Sequence, residues 1–138
     1  MSTRLLQAWT GRFKADAGVP EIAHALDATW REIGVMLTTI VGKRGATALL
    51  QRCIFLNLGA HPWLAEAQEP ADRPAEAEPL GTVLAKRSRD EGISAGGALL
   101  QTLHQQLANM IGASLADRLL HRTAASLSSG TLPQDAAP

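Results

Sequence analysis

The stretch 20-PEIAHALDATWREIGVMLTTIV-41 decides the fold. Pro20 stands where a first helical residue belongs, since its missing N–H would have no partner there anyway. Glu21 puts a negative charge at the positive end of the helix dipole. From Ile22 the apolar residues Leu26, Trp30, Ile33, Leu37, Ile40 and Val41 recur every three or four positions, a single stripe on a helix of about 20 residues. Gly42 ends it. The spacing therefore predicts a helix over 20–41.

Downstream, Ala46, Leu49, Leu50, Cys53, Ile54 and Leu58 predict a second helix over 45–58, closed by Gly59. Phe55 and Leu56 widen its apolar surface beyond one stripe, as on a helix buried on two sides or covered by a partner. Ala60-His61-Pro62-Trp63-Leu64 reads as a turn. Residues 65–79 are Ala, Glu and Pro-rich; five acidic residues against one arginine give −4, so the rest of the chain carries +4. Prolines 70, 74 and 79 interrupt any helix, which predicts a solvated acidic linker. A short helical piece over about 80–88 follows, with Lys86, Arg87 and Arg89 placed to neutralise the linker. Ser94 is a candidate N-cap for a helix over 94–111, whose stripe is Leu99, Leu100, Leu103, Leu107, Met110 and Ile111. After Gly112 a last helix is expected over 113–127, through Leu115, Leu119, Leu120 and Ala124, before a frayed tail over 128–138. Upstream, Leu5, Leu6, Trp9 and Phe13 predict a short amphipathic helix.

Two of these segments echo each other. Leu37–Arg52 (LTTIVGKRGATALLQR) falls without a gap on Leu107–Arg122 (LANMIGASLADRLLHR) at a shift of 70 residues. Leu, Gly, Ala, Leu, Leu and Arg coincide at 37/107, 42/112, 46/116, 49/119, 50/120 and 52/122. Each copy is a helix end, a glycine and a helix start, which is the pattern of an αα-hairpin. The expected architecture is all-α: a four-helix bundle of two hairpins, with an extra N-terminal helix and the acidic linker, in one domain over 1–127.

Composition agrees with that class and narrows function. The chain has 138 residues, enough for one core, and no Tyr among its five aromatic residues. Ala and Leu, strong helix formers, dominate, and strand-favouring residues are sparse. Arg outnumbers Lys ten to three, which with the Ala and Gly load is typical of a GC-rich bacterial genome. Thirteen basic residues balance thirteen acidic ones, so no overall field favours nucleic acid. A single cysteine excludes an internal disulfide and a Cys-based zinc site. With no long apolar run and no secretory leader pattern, the chain is expected in the cytoplasm and away from membranes.

None of the four histidines belongs to a metal-ligand motif, and no cofactor motif occurs. Cys53 lies on the apolar stripe, where a thiol is ordinarily inert. No nucleophile elbow or phosphate loop is present, so no catalytic residue is assigned. His104, beside the stripe of its helix, is the candidate for a ligand pocket between helices. His24 lies about 200° around the helix from Ile22, on the solvent face. The run Ala23-His24-Ala25-Leu26, with Ile33-Gly34 after it, resembles the signature of histidine-phosphotransfer domains. That resemblance implies a helical bundle in which His24 carries a phosphoryl group. The family's Lys and Gly after the histidine are replaced here by Asp27 and Ala28, and the carboxylate would repel a phosphoryl group.

Lys43, Arg44, Arg52, Arg118 and Arg122 are candidates for a basic patch at one end of the bundle, and Trp9, Phe55, Leu56 and Trp63 for an interface. The leading expectation is a non-enzymatic interaction and regulatory module in bacterial signalling that pairs with itself as a homodimer or binds a protein partner. Phosphotransfer through His24 and ligand sensing near His104 are the alternatives.

Overall fold

The computed structural model describes residues 3–13, 18–68 and 79–129. It is all-α, with no strand among the described residues: α1 (Thr3–Arg12), α2 (Val19–Leu56), a 3-10 helix (Pro62–Ala67), α3 (Leu80–Ala85), α4 (Arg89–Ile111) and α5 (Ala113–Ser129). Most of the predicted linker, 69–78, and the tail from 130 lie outside the described residues.

α2 begins as its sequence dictates, with Gly18 as the extended N-cap, Pro20 in the first turn and Glu21 beside it. Ile22, Leu26, Ile33 and Leu37 are fully buried, each contributing about 2 kcal/mol of apolar burial. The stripe does not stay inside to its end, because Ile40 and Val41 are exposed. At Gly42 the helix breaks, with φ 81° and ψ 166°, a conformation essentially confined to glycine. The second arm resumes at 43 rather than at the predicted 45 and folds back. A Cβ on Gly34, eight residues before the break, would touch Leu50, eight residues after it, at 3.5 Å. Gly112 joins α4 to α5 with nearly the same dihedrals, φ 90° and ψ 151°.

The second arm of α2 runs antiparallel to α4: Arg52 donates to Gln106 at 3.3 Å and Asn57 to Thr102 at 3.0 Å. Asn57 also donates to the Cys53 carbonyl at 2.8 Å, satisfying one of the orphan carbonyls at the helix end.

The start of α4 departs from expectation. Its N-cap is Ser88, not Ser94. The Ser88 hydroxyl accepts from the Glu91 N–H while the Glu91 carboxylate accepts from the Ser88 N–H, each at 3.2 Å. This reciprocal pair is a capping box, and it leaves Gly92, Gly96 and Gly97 buried inside the helix. The absence of side chains at these positions has a packing purpose. The Trp9 ring lies on Gly96, in the space that a Cβ there would occupy. The Trp9 indole N–H donates to the Ile93 carbonyl at 2.8 Å, and Phe13 meets the ring edge-on at 4.8 Å. α1 thus packs onto α4 and α5, while α3 packs onto α2, where Gly81 sits against the Ala23 carbonyl and Asp27.

Candidate groove between α2 and α5

Trp9, expected at an interface, is instead wholly buried, because the glycines of α4 open a seat for it. Trp63 is half-buried in the 3-10 helix that replaces the predicted turn. Arg87 lies over its ring at 5.2 Å and His61 meets its edge at 5.8 Å. Arg87 also pairs with Glu91 at 3.0 Å, and that bond, with the Ser88 cap, holds the Glu91 carboxyl below its ordinary range. Lys86 pairs with Glu66 at 2.9 Å, joining the start of the predicted linker to the basic run. Of the interface candidates, Phe55 and Leu56 remain in the open, 57% and 44% exposed at the end of α2.

His104 does not line the groove between α2 and α5. It is buried on α4 and its Nε2 lies 2.7 Å from Asp117 Oδ1 of α5, a hydrogen bond across the Gly112 break. That bond occupies one of its two ring nitrogens. His24 is exposed on α2. One turn on, Asp27 is already engaged, pairing with Arg31 at 3.0 Å and accepting from the Gly81 N–H at 3.4 Å. Cys53 is fully buried, and that burial pushes its thiol up to about 12, so no thiolate forms near neutral pH.

A concavity lies elsewhere, between α2 and α5. Where the first arm of α2 and α5 part, a groove of about 660 Å³ opens, floored by Val35, Met36 and Leu119 and rimmed by Arg31, Glu32, Arg118 and Arg122. Val35 is 66% exposed there, the most exposed of the large apolar side chains among the described residues. Glu32 Oε2 is out of contact with solvent and has no hydrogen-bond partner among the described residues. Desolvation raises the Glu32 carboxyl above its usual range, and the nearby Arg122 charge pulls part of the way back. Among the described residues, Arg31 is paired with Asp27, whereas Arg118 and Arg122 have no carboxylate within salt-bridge distance.

The five candidate basic residues are all exposed, but they serve different places. Arg118 and Arg122 line the groove together; Arg52 bonds Gln106 on α4; Lys43 and Arg44 follow the Gly42 break. Sequence reading missed Arg31 and Glu32 as their companions. The spacing of Arg118 and Arg122 by one helical turn was visible, but nothing local says which face of α2 they meet. No three side chains of His, Cys, Asp and Glu come together to hold a metal among the described residues. α2 is long and apolar enough by composition to cross a membrane, a test that the core helix of a soluble protein also passes.

The fold and groove define an all-α protein with an open ligand-sized cleft. Compared with known proteins, the chain matches no family model, no curated protein and no solved structure.

Proposed function

We propose that this chain is a non-enzymatic, cytoplasmic helical module of bacterial signalling that acts by associating with a second copy of itself. The observation that carries this is the exposed pair Phe55 and Leu56, side by side at the end of α2. Large apolar groups left in water next to a filled core are the ordinary mark of an interface. The segment 45–58 has Arg52 as its sole charged side chain, so two copies meeting there bring few like charges together.

Two features support a bundle of two related hairpins beneath that surface. Gly42 and Gly112, matched in the 70-residue echo, adopt the same unusual backbone conformation. The leading helices also dock in matching ways: Trp9 bonds the Ile93 carbonyl, and Gly81 abuts the carbonyl of Ala23, the residue on which Ile93 falls at that shift.

A photo-crosslinking residue tests the surface. With Phe55 replaced by benzoylphenylalanine, irradiation of the purified protein yields a covalent dimer, and the same replacement at exposed Thr82 does not. A monomer alone from position 55 contradicts the proposal.

The groove favours a second role, ligand sensing. Its volume is typical of small-molecule sites, and its lining is apolar with a few polar groups at the rim. The site that supports sensing is the α2–α5 cleft, in place of the region around His104.

A further inference from the structure

We infer that the α2–α5 groove binds a small monoanionic amphiphile, an acyl carboxylate, with its head on Arg118 and Arg122 and its chain over Val35, Met36 and Leu119. This rests on the ligand-sensing role of the groove and names the class of ligand.

Charge sets the head group. Arg31 is already neutralised by Asp27 at 3.0 Å. Arg118 and Arg122 stand one turn apart on α5, facing the same cleft. Glu32 shares that cleft and opposes an anion, but it offsets only one of the two guanidiniums. One positive charge is left over, which suits a carboxylate better than a dianionic phosphate. Guanidiniums bind carboxylates through paired N–H donors, so two of them a turn apart make a directional clamp.

Shape sets the body. The first arm of α2 lines the groove from 28 to 39, about 16 Å along its axis at the rise of an α-helix, and α5 walls it from 118 to 123, about 8 Å. An extended acyl chain lies along the longer wall with its head at the arginines of the shorter one. The apolar floor, with Val35 two-thirds exposed, gains by being covered. Met36 belongs to that floor, and an unbranched thioether adapts to chains of different length.

The methionines make the test. Met36 is in the groove, whereas Met110 is exposed on α4 and is not part of the lining. In protein carrying ¹³C-methyl methionine, titration with decanoate shifts the Met36 methyl saturably and leaves Met110 unmoved. Met36→Leu assigns the signal. Arg118→Ala with Arg122→Ala weakens decanoate binding at least tenfold; both residues are surface-exposed, and an unchanged melting curve shows the fold intact. Glu32→Gln tightens it several-fold by removing the competing carboxylate. Decyltrimethylammonium and decanol, with the same chain and a cationic or neutral head, do not saturate the site. Equal binding of all three amphiphiles, or unchanged affinity in the double variant, overturns the anion assignment while leaving a ligand site. A Met36 methyl unmoved by all three overturns both.

Discussion

Gly96 shows how a residue without a side chain positions a large one. Trp9 fills the space that a Cβ at 96 would occupy, and its ring cannot swing away freely because its N–H is tied to Ile93 and its face to Phe13. Gly96→Ala therefore forces the indole or the helix to move, at a cost of about 1–3 kcal/mol typical of overpacking. Gly11 is the contrast. It lies within α1 with nothing near its missing Cβ, so Gly11→Ala stabilises by about 0.5–1 kcal/mol through backbone entropy alone. Urea denaturation of the two variants beside the parent checks both signs. The burial of Trp9 was not legible in the sequence. Its helical spacing with Phe13 marked an apolar face, but only the glycines of α4, some 84 residues on, decide that the face is core.

At the scale of elements, periodicity was legible wherever one face is buried. Ile22, Leu26, Ile33 and Leu37 fall inside as their spacing requires, and so do Leu99, Leu100, Leu103 and Leu107. The stripe fails at Ile40 and Val41, just before Gly42, and at Met110, two residues before Gly112, although Ile111 between them still packs against the core. Ser88-Arg89-Asp90-Glu91 carries the capping-box spacing in plain view, yet glycines at 92, 96 and 97 are poor residues for the helix that follows it. Their burial beneath neighbouring side chains resolves the conflict: packing compensates for poor helix propensity. Ser88→Ala should then cost about 1 kcal/mol, the usual worth of an N-cap, while Ser94→Ala leaves stability within a few tenths. Equal losses from both substitutions would place the cap elsewhere. The groove was the least legible feature, since it requires α5 to meet the first arm of α2 across a gap that no local pattern encodes.

At the scale of the whole molecule, the chain joins a filled core to two unfilled surfaces. Phe55 and Leu56 offer an apolar contact with little charge, and the α2–α5 groove offers an apolar floor beneath a positive rim. Cys53 and His104 belong to neither place: Cys53 is buried as a thiol, and His104 is held by Asp117. Association of copies is the function we propose for the first surface, and ligand binding for the second. Linkage then requires that an amphiphile binding one state better shifts the population toward it. The most direct test is sedimentation equilibrium of the full chain over a hundredfold range of concentration. A mass rising from one chain toward two, and falling back in a Phe55→Ser, Leu56→Ser variant, is the predicted result. A mass of one chain, 14.6 kDa, at every concentration would contradict self-association.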